Sequence, residues 1–285
     1  MKKIISVIMA VLMIATAALT LASCSKKSDW DKIDEKGTLV VGYTVYPPMN
    51  YFDADGDLKA DAEGDFIGFD TELAKLVGEK LGVEIQFQEI KWGNKYIELN
   101  AGNIDCIWNG FTSNAKDDDG IERADKVDFT YAYADNKQCI VVKKDNLDSI
   151  ESVGSLAGKK GTAEIGSAGE SYAKTVTTVE IAGVTSQMNT FAEVKSGAAY
   201  FAVIDVLLAE ELVGTGNYDD LAMVSFDVIN IDPEVYSIGC RKNSDLDEKI
   251  NDALVELLNE GKLDTLAEKY GVRLTDTLVA KKTAK

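Results

Sequence analysis

Apolar positions along the chain repeat with two alternating periods. Leu39 to Gly42 is a β-rich run that breaks at Pro47-Pro48, and residues 54–69 form a turn-rich connection. Leu73, Leu76, Val77 and Leu81 then fall at helical spacing within residues 70–82, where Gly82 can serve as a C-cap. Residues 83–90, VEIQFQEI, alternate apolar and polar like a half-buried strand. A short helix from Ile97 to Ala101 and a strand from Ile104 to Trp108 follow. This strand–helix–strand–helix–strand order predicts a parallel α/β sheet. The pattern restarts at QCIVVKK (138–144), with strand, glycine turn and helix over 159–173. Residues 190–212 read helix, glycine, strand, aspartate, helix. Two amphipathic helices come next, one aligning Leu246, Ile250, Leu254, Leu257 and Leu258, the other Leu263, Leu266 and Tyr270. The polar end from Leu274 to Lys285 is expected to fray.

The first residues belong to a different class. Lys2 and Lys3 precede an uncharged apolar stretch, Ile4 to Thr20, and then Leu21-Ala22-Ser23-Cys24. Length and flanks predict a secretory signal over 1–23 rather than a membrane span. The small residues before Cys24 resemble the lipobox of bacterial lipoproteins, in which the cysteine is acylated. Each buried CH₂ of an acyl chain contributes about 0.8 kcal/mol, so such a cysteine would anchor the chain outside the cytoplasm, at the cell membrane, through a tether over 24–33. Losing the leader's two lysines takes the net charge from −18 to −20, which repels phosphate backbones and excludes nucleic acid as a natural partner. The chain has no histidine, so Ser-His-Asp and Cys-His catalysis and His-ligated zinc are excluded. Cys106, Cys139 and Cys240 make no CxxC and, being odd in number, no closed disulfide framework. No cofactor or metal is expected.

Residues 105–112, DCIWNGFT, pose the main question. Asn-Gly between apolar runs is a strong hairpin signal, yet the acidic SNAKDDDGIER that follows carries no alternating strand. The surrounding stretches are GTLVVGYTVYPPMNY, GFDTELAKLVGEKLGVEIQF, Trp92, NAGNIDCIWNGFT, ERADKVDFTYAY, LAGKKGTAEIGSAGE, SGAAYFAVID and IGCRKNSDL. Their order resembles the family-3 extracellular solute-binding proteins, the polar-amino-acid receptors of bacterial ABC importers, over about Gly37 to Gly271. The resemblance implies an α/β, two-lobed periplasmic-binding-protein-like (type II) fold with two hinge crossings. Lobe 1 is expected over 34–134 plus 235–271, lobe 2 over 138–231 and a tail over 272–285. The crossings would lie near 135–137 and 232–234. In such a fold DCIW is a parallel strand whose carboxyl end faces the cleft, leaving backbone groups of Asn109 and Gly110 for a guest.

A free amino acid brings a carboxylate and an ammonium, and burial of each costs several kcal/mol unless it is paired. A guanidinium suits the carboxylate best, and the chain holds three: Arg123, Arg241 and Arg273. By resemblance Arg123 is the carboxylate's partner, although eleven residues separate it from Thr112 where the family usually has five. An insertion around 116–120 either loops out or displaces it. Thr112 is expected to help, as are Gly166, Ser167 and Ala168 at a strand-to-helix turn with free N–H groups; Ser167 doubles as an N-cap. Asp205 matches the family's acidic residue for the ammonium, with an N-cap as its other use. Tyr46 and Trp92 match aromatic walls. Tyr43 stands where basic-amino-acid receptors often carry an acid, whereas Glu164 offers a carboxylate to a cationic side chain, so the two point to different ligands. Asp70 is read as a helix N-cap, Asp128 as a turn anchor.

The resulting expectation is a lipid-anchored receptor that binds a polar amino acid and hands it to an ABC-type permease, as a monomer and without catalysis. Two other classes stay open. One is an enzyme on the same scaffold, dehydratase-like or wall-cleaving, with Glu164 or Asp205 as general acid. The other is a sensory lipoprotein that uses the cleft as a switch.

Overall fold

The computed structural model of the chain describes residues 27–283 apart from 55–56, 60–63, 118 and 230. The leader and Cys24 lie outside the described residues. Two five-stranded sheets form the two lobes. In the first, Thr38–Tyr43 pairs in parallel with Glu84–Glu89 on one side and Cys106–Ile107 on the other. Gly239–Cys240 and Asp128–Phe129 complete the edge with antiparallel pairing. In the second sheet, Gly161–Glu164 runs parallel to Ala182–Val184 and Phe201–Asp205, while Gln138–Lys143 and Leu221–Met223 are antiparallel additions. Both sheets are therefore mixed rather than purely parallel, because strands next to the crossings enter their sheet from the opposite end.

The crossings are Ala134–Asn136 and Glu234–Tyr236, which pair antiparallel with each other as a two-stranded ribbon. Beside them, Cys106–Ile107 ends in a turn and not in a hairpin, and the chain continues to Thr112, which bridges to Tyr236 on the ribbon. Helices Phe69–Leu81, Leu246–Asn259 and Lys262–Tyr270 cover the first sheet, their buried Leu73, Val77, Ile250, Leu254, Leu257 and Leu263 supplying its core. No helix of the described residues is long and apolar enough to cross a membrane.

Three expectations about the chain's outline need correction. Residues 29–33 are not tether: Asp29–Lys36 is a helix with a Ser28 capping box, its Ile33 is buried, and the Trp30 N–H donates to Asp245 at 2.9 Å. Residues 274–279 are not frayed. Leu274 bridges to Ala134, the Thr275 hydroxyl donates to the Ala132 carbonyl at 2.5 Å, and Leu278 is buried, so the last segment laces the first crossing to lobe 1. Within the connection over 54–69, strands Asp57–Lys59 and Asp65–Ile67 pair with Tyr51–Ala54 as a small antiparallel sheet. Cys106, Cys139 and Cys240 are buried free thiols.

Candidate functional site

Between the lobes lies a cavity lined by Trp92, Asn109, Gly110, Thr112, Arg123, Glu164, Ser167, Ala168, Gln187 and Asp205. Its free volume is about 10 Å³, room for about one water molecule. An amino acid is several times larger, so entry requires the lobes to separate on the ribbon. A much larger depression of about 830 Å³ lies elsewhere, between the Asp29–Lys36 helix and Arg241. It is a poor candidate, because its cations are already matched: Lys32 to Asp29, Lys36 to Asp105, and Arg241 to both aspartates.

Arg123 reaches the cleft despite its spacing. The insertion folds back on itself, with Lys116 bridging antiparallel to Glu122 and the Arg123 N–H donating to the Ala115 carbonyl at 3.1 Å. The guanidinium is 1% exposed. Its Nε donates to Asp117 at 3.0 Å, Nη1 to the Thr112 carbonyl at 3.0 Å, and Nη2 across the cleft to the Gly166 carbonyl at 3.3 Å.

Asp205 ends the strand Phe201–Asp205 in the opposite lobe, 6% exposed. It occupies the N-cap position of helix Val206–Leu212 but makes no side-chain cap bond. Instead Oδ1 accepts from Asn136 at 2.7 Å and Gln138 at 2.6 Å, while Oδ2 accepts from the Gln187 amide. The same two amide groups of Asn136 and Gln138 donate to Glu234 Oε2, each at 2.9 Å. Two buried carboxylates thus share two donors at the ribbon, with no cation of the described residues bonded to either. Burial, above all, pushes the Asp205 carboxyl up, and burial together with the neighbouring Asp205 pushes Glu234 up to about 7. Glu164, 3% exposed at the end of Gly161–Glu164, is pushed to about 8 by burial and by Asp205, against the pull of Lys95. Its Oε1 has no hydrogen-bond partner among the described residues.

Several expected contacts are redirected. Gly110 does not offer its N–H to the cleft, because Asp70 Oδ2 accepts it at 2.7 Å; Asp70 is accordingly a brace for this turn, not an N-cap, a position held by Gly68. Asn109 turns its amide into lobe 1, bonding Thr44 and Asn50. The Thr112 hydroxyl is given to Glu234 at 3.1 Å. The Gly166 N–H goes to Glu170, and Gly166 is absent from the cavity wall. Ser167 does cap its helix, accepting from the Glu170 N–H at 2.9 Å. Trp92 is a wall, edge-on to Phe111, but Tyr46 is not. It lies beneath Gly110 with its hydroxyl 2.7 Å from that of Tyr236. A Cβ on Gly110 would sit 2.6 Å from the Tyr46 ring, and its φ of +54° favours glycine independently. Tyr43 packs with Phe66 and Phe87 away from the cavity, and Asp128 anchors the turn at Asn243 through that residue's N–H.

Lys95, Gln187, Glu234, Asn136 and Gln138 belong to the site by geometry and not by any sequence motif. Only Gln138, opening an apolar strand next to the first crossing, carried a usable hint. Lys95 is 2% exposed, packed 4.9 Å from the Trp92 ring centre and 4.7 Å from that of Tyr96, and Nζ donates to the Gly166 carbonyl at 3.0 Å. Burial, then the charge of Arg123, pulls its amine down to about 7. Gly166 therefore receives two donors from lobe 1, the Arg123 guanidinium and the Lys95 amine, and a Cβ there would lie 3.2 Å from the Gly93 Cα. This contact is expected to hold the lobes shut. A hydrogen bond to a charged group contributes about 1.5–3 kcal/mol, so Lys95→Met should shift the unliganded protein toward an open form. Small-angle scattering should record a larger radius of gyration; an unchanged profile would remove the latch role.

The bacterial extracellular solute-binding protein family 3 model matches residues 39–273. The chain is 28% identical over 271 residues to the L-cystine-binding protein TcyJ of Escherichia coli (strain K12), covering 92% of each chain. It is 28% identical over 265 residues to the arginine-binding extracellular protein ArtP of Bacillus subtilis (strain 168), covering 91% of this chain and 96% of that one. The structure of an amino acid ABC transporter substrate-binding protein, AbpA from Streptococcus pneumoniae, bound to L-arginine superposes with a TM-score of 0.71 at 27% identity, covering 89% of this chain and all of that one. The lobes, the ribbon between them and the match over almost the whole described chain agree: the chain belongs to the bacterial extracellular solute-binding proteins, family 3.

Proposed function

We propose that the chain captures a free amino acid with a cationic side chain between its lobes and delivers it to an ABC-type permease, acting by binding and not by turnover. In this reading Arg123 takes the carboxylate, Asp205 the ammonium and Glu164 the side-chain cation, with Trp92 as the wall. Cys24 holds the receptor to the membrane through a lipid. The observation that carries it is the convergence of one guanidinium and two buried carboxyl groups, neither bonded to a cation of the described residues, on a single inter-lobe cavity. A simple zwitterion answers Arg123 and Asp205 and leaves Glu164 with an unmet oxygen; a second positive charge answers all three. Relatives named for binding arginine and cystine agree with an amino-acid ligand.

Calorimetric titration with the twenty amino acids and cystine tests the reading, and failure of all of them at ~100 µM (about −5.5 kcal/mol) would sink it. The finer claim is read from L-arginine against L-citrulline, which differ in charge at nearly equal shape. Wild type should prefer arginine by roughly 30-fold, and Glu164→Gln should bring the two within about threefold while citrulline still binds, since a charged partner in a buried pair is worth a few kcal/mol. Equal affinities in wild type would refute the cationic side chain alone.

A further inference from the structure

We propose that Asp117, carried by the insertion between Thr112 and Arg123, is a positioning residue that locks the Arg123 guanidinium with its Nη edge toward the cleft. The inference rests on the reading that Arg123 receives a carboxylate. The insertion is built for this. The Asp117 N–H donates to the Ile121 carbonyl at 3.0 Å, and the Gly120 N–H returns to the Asp117 carbonyl at 2.8 Å, closing a tight turn in which Gly120 has a φ of +77°. The turn puts the Asp117 side chain, 9% exposed, against Nε of an arginine that is itself buried. The bond engages Nε, while Nη1 reaches the carbonyl of Thr112, which lines the cavity, and Nη2 reaches that of Gly166 in the opposite lobe.

Asp117 is held in its turn. Lys126 Nζ lies 3.0 Å from Oδ2. Burial raises the Asp117 carboxyl, but the Tyr96 hydroxyl, Arg123, Lys95 and Lys126 outweigh burial and keep it below the usual carboxylate range. The carboxylate stays ionised through neutral pH. A long side chain entering the cleft from a loop has several rotatable bonds, and fixing them in advance removes that ordering cost from the binding step. The same insertion that disturbs the spacing to Thr112 thus supplies the group that fixes Arg123.

The test separates positioning from general support of the fold. L-arginine, L-histidine and L-cystine are each titrated against the corresponding carboxamide, which lacks the carboxylate, with wild type, Asp117→Ala, Asp117→Asn and Arg123→Lys. In Asp117→Ala the preference for acid over amide should fall about tenfold or more, the usual scale for an orienting partner, with amide affinity within about threefold of wild type. Asp117→Asn keeps an acceptor oxygen for Nε and should retain part of the preference. Equal weakening of acid and amide, or no weakening, overturns the proposal. Because the chain has three arginines, ¹⁵N spectra of their Nε–Hε groups give a reading that needs no ligand. The Arg123 signal should shift and exchange faster with water in Asp117→Ala, and an unmoved signal overturns the proposal too. If no acid binds wild type but that signal moves, the transport reading falls and the lock on Arg123 stands.

Discussion

Arg123→Ala is expected to abolish amino-acid binding and to destabilise the unliganded protein as well. Truncating one partner of a buried hydrogen-bonded charge pair costs about 2–5 kcal/mol in binding, a loss of roughly 30-fold to several thousand-fold. For a carboxylate enclosed with one guanidinium, the upper end is the fitting one. The free protein loses more than the ligand contact. Arg123 bonds Asp117 and the Thr112 and Gly166 carbonyls, and breaking a buried ion pair from one side destabilises by about 3–5 kcal/mol. Lys126 remains on Asp117 and tempers that cost. Arg123→Lys isolates the geometry: an ammonium keeps the charge but cannot span three acceptors in one plane. It should preserve most of the thermal stability and still lose most of the affinity. Binding within about tenfold of wild type in Arg123→Ala would mean that the carboxylate is held elsewhere.

How these residues meet was only partly legible in the sequence. Local pattern places the helix Phe69–Leu81 and the strand Glu84–Glu89 through a regular apolar periodicity, and the strands Thr38–Tyr43 and Phe201–Asp205 through short, largely apolar β-rich runs. Tyr51–Ala54 and its two partners escaped notice, since their short acidic stretches have too few apolar positions to set a period. The same limit hid the acid network. Asp205 stood out because a carboxylate between an apolar strand and an apolar helix is costly. Glu234 opens the second crossing, and nothing local says that it shares Asn136 and Gln138 with Asp205. Lys95 opens a helix, where a lysine ordinarily stays in water; its burial depends on Trp92 and Tyr96 closing over it and on Gly166 coming from lobe 2. The spacing from Thr112 to Arg123 argued against Arg123, and the turn at Gly120 removes the objection by bringing Ala115 beside Arg123. Sequence pattern reports which face of an element is buried, not which side chains from distant elements share a space.

Asp205→Asn is expected to cut amino-acid affinity by two to three orders of magnitude while leaving the unliganded protein no less stable at pH 8, a combination that separates a ligand-binding acid from a structural one. Asp205 Oδ1 and Glu234 Oε2 both accept from Gln138 Nε2, at 2.6 and 2.9 Å, so they lie less than about 5.5 Å apart. At that separation two negative charges repel by about 3 kcal/mol at an effective dielectric of 20. Without a ligand's ammonium this repulsion destabilises the fold. It adds to burial, the larger cause, in raising Glu234 to about 7 and Glu164 to about 8, while burial alone raises Asp70 to about 7. A carboxyl raised in the folded state contributes stability that is full below its unfolded value and is lost as pH rises through the folded one. Wild-type protein without ligand should therefore lose on the order of a few kcal/mol of stability between pH 5 and pH 7. Lys95, lowered to about 7, adds an opposite slope only above that pH, and carboxyls held low, such as Asp29 and Glu72, matter only in more acid solution. Asp205→Asn should flatten the fall, because one member of the repelling pair is gone. A bound cation favours the ionised acids, so ligand affinity should rise from pH 5 to pH 8 with proton release, measurable by titration in buffers of different ionisation enthalpy. Stability that is level or rising between pH 5 and pH 7 would show that the acids are matched within the protein, leaving the ammonium no site at Asp205.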